Sequence, residues 1–369
     1  MSMILQKTKL FPPVSRYRLV DRPRLMERMD DILMPDCKVG IISAPAGSGK
    51  TTLVNQWLSG QENLRFAWVS LDDRDNEPSR FFRYLIIGLQ SILPELGNEA
   101  LDLLQLPGLN LEEFVTILCN DLTRISNPIV LALDDFHSIT NPVLMKTMDF
   151  FLDAQPDCLK VLLLTREDPT LSVARLRVRR QLVELRQEDL RFDIAEAIDF
   201  LNQCMDLQLT NEQVSILETQ TEGWIAGLQL AALSLQHSKN IDKFIQNFGG
   251  TNRFILDYLL DEVFLNQPIE IQEFLLETSI LDRLCADLCA TLLGEEIAKT
   301  QAILEQLVKE NLFIFPLDEE QQWYRYHHLF RDLLSARLKS QNKDQMNQLS
   351  TLASGWFEKN GDPQLAVEY

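Results

Sequence analysis

No apolar run in this 369-residue chain approaches the length of a bilayer-spanning helix, and residues 1–20 lack the apolar core of a signal peptide. The expected compartment is therefore the cytoplasm. Basic residues are scarce: 35 Lys and Arg against 54 Asp and Glu give a formal charge of −19. That balance argues against this segment as a whole wrapping nucleic acid or an anionic membrane. Cysteines are few and scattered, at positions 37, 119, 158, 204, 285 and 289. Cys285 and Cys289 are spaced to share a helix face, but no histidine pair or further cysteine stands beside them at zinc spacing, so they read as buried thiols. Low-complexity linkers and fixed-period repeats are also absent, and the modules are expected to pack against one another.

What is present is an ordinary globular composition, 46% hydrophobic and 24% charged, in a chain long enough for two or three domains. Its most informative stretch runs from Val39 to Thr52, VGIISAPAGSGKTT. It reads as a buried strand, a glycine loop and a helix opening on Lys-Thr, the pattern of a phosphate-binding P-loop. Gly47 and Gly49 allow the backbone N–H groups of Ala46–Gly49, with Ser48 between them, to curl around phosphate oxygens. Lys50 brings a point charge toward the β- and γ-phosphates, and the Thr51 hydroxyl suits Mg²⁺. Thr51 and Thr52 open a helix whose positive end faces the anion. Ala44 stands where the pattern expects its first glycine, so that position must avoid strongly positive φ.

Around the loop, strands and helices alternate. A helix is expected over RPRLMERMDDIL, a strand over RFAWVSLDD, and helices over SRFFRYLIIGLQSIL (capped by Ser79), LEEFVTILCNDLTRI and NPVLMKTMDFFLDA. IVLALDDFH is a continuous apolar run ending in two aspartates, as a parallel strand buried on both faces should be, and LKVLLLTRED reads as a further buried strand. This alternation predicts an α/β P-loop domain with a parallel sheet and helices on both faces. The arginine-rich VARLRVRRQLVELR reads as a solvated helix face, or one meeting an acidic neighbour. From about residue 191 the pattern turns all-helical. NLFIFPLDEEQQWYRYHHLF then reads as a short hairpin leading into a helix, the signature of a winged-helix domain.

Asp134 and Asp135 end an apolar strand downstream of Lys50. Asp134 is the expected Walker B acid for Mg²⁺, and Asp135 is a candidate to orient the attacking water. Arg166 ends the next strand, within reach of a γ-phosphate. By pattern alone, His327 and His328 read as core or hairpin histidines ahead of ligands.

SAPAGSGKTTLVNQW, FAWVSLDDRDNEPSRFFRYL, LALDDFH, LLLTRED, EGWIAGLQLAALSL and WYRYHHLFRDLL occur in an order that resembles one family. It is the large ATP-binding LuxR-type (MalT-like) regulators of the STAND class, relatives of NB-ARC proteins. The resemblance covers essentially the whole chain. It implies an N-terminal arm in which Val20 and Arg22 contact adenine, Arg166 as a sensor of the γ-phosphate, and His327 (not His328) on the ADP phosphate. Ala226-Gly227-Leu228 falls where the family's Gly-x-Pro element lies, without the proline. The implied organisation is an arm and nucleotide-binding domain (1–190), a helical domain (191–265), a winged helix (266–343) and the start of a helical-repeat sensor (344–369). The sensor would take a small-molecule or protein inducer, and DNA would be read by a helix-turn-helix outside this chain. The function implied is an ATP/ADP switch: an ADP-bound closed state opening to an ATP-bound self-associating state, with slow hydrolysis. An AAA-type ATPase remodelling a protein substrate is the alternative, and a scaffold with a relic P-loop a third reading.

Overall fold

The computed structural model describes residues 5–13, 18–104, 108, 110–125, 127–236, 240–246, 248, 253–360 and 366–367. The chain forms two compact units, one of residues 1–44 and 49–190, the other of Pro45–Ser48 with Arg191–Tyr369.

The first unit is built on a five-stranded parallel sheet in the order β2-β3-β4-β1-β5. The strands are β1 (Val39–Ser43), β2 (Arg65–Ser70), β3 (Ile129–Asp134), β4 (Leu159–Thr165) and β5 (Leu182–Leu185). All residues of β1, β3 and β4 are buried, which is why they read as predominantly apolar stretches without polar alternation. Alternate side chains serve opposite faces. On one face Ile42, Ala132, Leu162 and Leu164 pack with Leu25 and Met29 of α1 (Pro23–Asp30) and Val54 and Trp57 of α2 (Lys50–Ser59). On the other, Ile41, Leu131, Leu133 and Leu163 meet Phe82 of α3 (Pro78–Gln90), Leu118 of α5 (Leu111–Leu122) and Phe151 of α6 (Pro142–Ala154), with α4 (Asn98–Leu103) adding Ala100. Each fully buried Ile, Leu, Val, Met or Phe among them stabilises the fold by about 1.5–3 kcal/mol relative to exposure. The register sets Ser43 beside Thr165 and Ser70 beside Asp134, so the loops that carry chemistry emerge from one edge of the sheet.

Two local expectations are corrected. Ser79 does not cap α3. The Glu77 carboxylate does, accepting from the backbone N of Ser79 (3.0 Å) and Arg80 (2.7 Å), with Pro78 at the first helical position, where its missing N–H costs nothing. The arginine-rich stretch is not one helix face. Helix α7 (Val173–Val178) ends, Arg180 turns with φ 58°, and β5 then adds to the sheet beside β1. Its arginines meet carboxylates of their own unit: Arg175 with Asp153 (2.7 Å), Arg177 with Glu184 (2.8 Å), and Arg186 with Asp168 and with Glu184 (2.7 Å).

Among the described residues, the second unit is helical apart from a hairpin. Its helices include Asn211–Thr221, Ile225–Gln236, Ile269–Thr278, Ala286–Leu293 and Ile297–Lys309. Strands β6 (Ile314–Pro316) and β7 (Tyr324–Tyr326) pair antiparallel, Tyr324 bridges back to Leu284, and helix His328–Gln341 follows at once. This is the hairpin and helix expected from NLFIFPLDEEQQWYRYHHLF.

Glu222 is an internal tie of this unit. It ends helix Asn211–Thr221 in a left-handed conformation (φ 50°), and Arg325 of β7 forks onto its two oxygens at 2.7 and 2.8 Å. Arg191 approaches to 3.5 Å. Burial raises the Glu222 carboxyl, but Arg325, with His327 and Arg191, overrides it and holds the pKa at about 2. Because that value lies below the ordinary 4.5, the tie stabilises fully above pH 4.5 and is lost as pH falls through about 2. Glu222→Gln is expected to cost about 2–4 kcal/mol at neutral pH, since it strands Arg325. It should also remove part of the acid sensitivity between pH 4.5 and 2, read by near-UV circular dichroism. Identical acid titrations for both proteins would show that the pair carries no stability.

Candidate nucleotide-binding site

Strand β1 delivers the chain into the P-loop. Ala44 is fully buried, its N–H donates to Thr165 O (3.3 Å), and its φ is not positive, so the absent glycine costs nothing. Gly47 (φ 72°) and Gly49 (φ 79°) take the left-handed conformations that glycine alone adopts freely, and Gly49 caps α2. Lys50 and Thr51 open the helix, Lys50 buried and Thr51 half-buried, while Thr52 faces outward.

The structure brings the expected acids to this helix. Thr51 Oγ1 donates to Asp134 at the end of β3, 3.1 and 3.2 Å from its two oxygens. The Lys50 ammonium donates to Ala44 O at 2.6 Å. Burial pushes its pKa down to about 8; Arg166 lowers it further, while Asp135 and Asp134 pull the other way. The Asp134 carboxyl is pushed up to about 6, by burial first and then by Asp135, against Thr51 and Lys50. Asp135 is bent into a left-handed conformation (φ 56°), and its N–H donates to Asp134 Oδ1 at 3.1 Å. Arg166 lies just past β4, half-buried. In the following turn Asp168 accepts from the Ser43 hydroxyl (2.9 Å) and from Arg186.

A hydroxyl and a carboxylate side by side are the hard oxygen donors that Mg²⁺ selects, so Thr51 and Asp134 fit that ion. Val20 and Arg22 lie on the segment before α1. Val20 is buried and its carbonyl accepts from Gln56 Nε2 of α2 (3.0 Å), and the buried Arg22 donates to Leu190 O (2.9 Å).

The remaining loop residues, Ala46, Gly47 and Ser48, group with the second unit. There the Trp224 indole N–H donates to Ala46 O and the Ala226 N–H to Gly47 O, both at 3.0 Å. A Cβ on Gly47 would sit 2.5 Å from Ala226 Cβ. Trp224 also packs edge-on against His327, with ring centroids 6.1 Å apart. His327 is buried. Its Nε2 lies 2.9 Å from Thr221 O and its Nδ1 accepts from Leu329 N–H, while burial presses its pKa down to about 4. His328 is exposed and approaches Glu222 at 3.5 Å.

One neighbour was not singled out from the sequence. His137 lies two residues past Asp135, its Nδ1 3.9 Å from Asp135 Oδ1. That nitrogen is buried with no hydrogen-bond partner among the described residues, and burial pushes the pKa down to about 4, so the ring is neutral. The only cue was its place in LALDDFH.

Comparison with known proteins agrees with this geometry. Residues 34–168 match the AAA domain model and residues 260–346 the MalT winged helix domain model. The chain is 35% identical to the HTH-type transcriptional regulator MalT of Yersinia pestis, over 99% of this chain and 40% of that protein. It is 31% identical to the serine/threonine-protein kinase PknK of Mycobacterium tuberculosis, over 98% of this chain and 32% of that one. It therefore spans about a third to two fifths of the length of these relatives. Among solved structures, the Walker-type ATPase PABY2304 of Pyrococcus abyssi shares the fold, with a TM-score of 0.57 at 15% identity, covering 88% of this chain and 98% of that one. The P-loop AAA domain makes this a nucleotide-binding protein. With that domain followed by a MalT winged helix, and homology over nearly its whole length, the chain belongs to the MalT-like STAND ATPase modules.

Proposed function

We propose that this module is an adenine-nucleotide switch, resting with ADP bound and opening with ATP to a self-associating state. The observation that carries the reading is the convergence of Lys50, Thr51, Asp134 and Asp135 where β1 and β3 end. Lys50 neutralises phosphate charge, Thr51 and Asp134 hold Mg²⁺, Asp135 orients the water for slow hydrolysis, and Arg166 senses the γ-phosphate. Bound Mg²⁺ would supply charge neutralisation at the phosphates. Val20 and Arg22 line the adenine, and His327 serves the ADP phosphate.

Support for a switch comes from the second unit, where Trp224 holds a P-loop carbonyl and packs on His327. The same module is matched in proteins named as a transcriptional regulator and as a kinase, so the nucleotide step is what they share and the output is not. In a regulator of the first kind, working in the cytoplasm, an inducer would act through a sensor beginning near residue 344, and DNA would be bound by a separate helix-turn-helix. The divisions proposed are 1–190, 191–265, 266–343 and 344–369. Denaturing the purified protein and identifying the released nucleotide tests the resting state. ADP near one per chain is expected, and protein purified without any nucleotide would overturn it.

A further inference from the structure

The motif SLDDRDNEPSRFFRYL has no part in the site described so far, although it runs from the end of β2 into α3 at the edge where β2 and β3 end. Its centre is Asn76, which ends a short turn, Asp73–Asn76. One amide side chain there uses its full hydrogen-bonding capacity of two donors and two acceptors. Nδ2 donates to Ser138 O (2.7 Å) and Asp73 O (3.1 Å), and Oδ1 accepts from Thr140 N (2.7 Å) and Asn141 N (2.9 Å). The Asn76 carbonyl adds a fifth bond, from Asn141 Nδ2 at 2.8 Å.

All but one of these bonds reach the loop that leaves β3 through Asp134 and Asp135. Ser138, gripped through its carbonyl by Asn76, donates its own N–H to Asp135 O at 3.0 Å. The path from Asn76 to Asp135 thus passes through a single residue, Ser138. It matters because Asp135 has a positive φ, a conformation that for a residue with a Cβ persists only where its surroundings enforce it.

Asn76 is itself anchored. Its neighbour Asp75 is fully buried and paired with Lys9 and with Arg80 Nε (2.7 Å), and Lys9 also reaches Asp72 (2.8 Å). The clamp therefore stands on an ion-paired base and does not ride on a loose turn.

We infer that Asn76 is a positioning residue for hydrolysis, fixing the backbone of Asp135 so that its carboxylate meets the attacking water. This rests on the reading of Asp135 as the water-orienting acid. Asparagine is required because aspartate keeps the acceptor bonds to Thr140 and Asn141 but cannot donate to Ser138.

The test uses the full chain, with single-turnover ATP hydrolysis and ADP titration as readouts. Asn76→Ala and Asn76→Asp are each expected to slow hydrolysis about 10- to 100-fold, the cost of misplacing a catalytic group by a fraction of an ångström. Affinity for ADP should stay within about threefold of the wild type, showing the phosphate-binding loop intact. In an Asp135→Asn background neither substitution should slow the reaction further, because the carboxylate it positions is gone. Wild-type rates in both Asn76 variants would overturn the inference, as would losses that simply multiply with that of Asp135→Asn. A wild-type rate in Asp135→Asn alone would instead sink the assignment of Asp135. If Asn76→Ala fails to fold, Asn76→Asp carries the test, since it keeps the two acceptor bonds to the loop.

Discussion

Lys50→Ala is expected to weaken ADP and ATP binding about 100- to 1000-fold, or about 3–4 kcal/mol, the loss of two charge-assisted bonds to phosphate. Calorimetric titration of the nucleotide reads it directly. The ligand-free protein should behave in the opposite sense. The Lys50 pKa of about 8 lies below the ordinary 10.5, so the folded chain holds this proton less tightly than the unfolded chain. That cost, of about 3 kcal/mol, is present in full below pH 8 and fades as pH rises toward 10.5. Removing the ammonium removes the cost, offset in part by the bond to Ala44 O. Lys50→Ala should therefore melt no lower than the wild type at pH 7, and the wild type should gain on it as pH rises past 8. Loss of binding with a collapse of stability would mean that Lys50 is structural. Affinity within a factor of ten of the wild type would remove it from the phosphate site.

Asp135→Asn should separate binding from turnover. Asparagine tolerates the left-handed backbone, so the substitution removes charge and leaves the chain path intact. Asp135 is one of the causes that raise Asp134, and without it the Asp134 carboxyl ionises more readily. ATP and Mg²⁺ binding should be preserved or improved. Hydrolysis should fall about 100- to 1000-fold, as expected for loss of a general base. The variant should then accumulate in the ATP-bound, self-associating form, measurable by light scattering of the full-length protein. Hydrolysis at the wild-type rate with saturating ATP would exclude Asp135 from the chemistry.

How much of this was legible in the sequence follows from where the information sits. β1, β3 and β4 are buried on both faces, so their mostly apolar sequences announced them. β5 did not announce itself. It is a four-residue edge strand, only Leu185 is fully buried, and its Glu184 pairs with Arg177 and Arg186, giving the run a charged, helix-like look. The helix cap moved from Ser79 to Glu77 because Pro78 fixes the first helical residue. In the site, Gly47, Gly49, Lys50 and Thr51 form one local motif, and Asp134 could be tied to them by its place at a strand end. Asn76 could not be found that way. Its partners Ser138, Thr140 and Asn141 lie more than sixty residues further along, and only the pairing of β2 with β3 brings them together. The Trp224 bond to Ala46 was hidden for the same reason, since the two are 178 positions apart.

The sheet order has a consequence for how the protein is made. β1 is translated before β2 and β3, but it pairs in the sheet with β4 and β5 and with neither β2 nor β3. The strand that carries the P-loop has no hydrogen-bonded strand partner until residues 159–165 have been translated. At about 5–20 residues per second that is a delay on the order of 10 s. Through that interval the nascent chain holds a complete phosphate-loop sequence whose strand is not yet paired into the sheet. Nucleotide capture during synthesis must wait for the fourth strand, and a stall or rare-codon cluster before residue 159 would leave β1 exposed to chaperones or to mispairing.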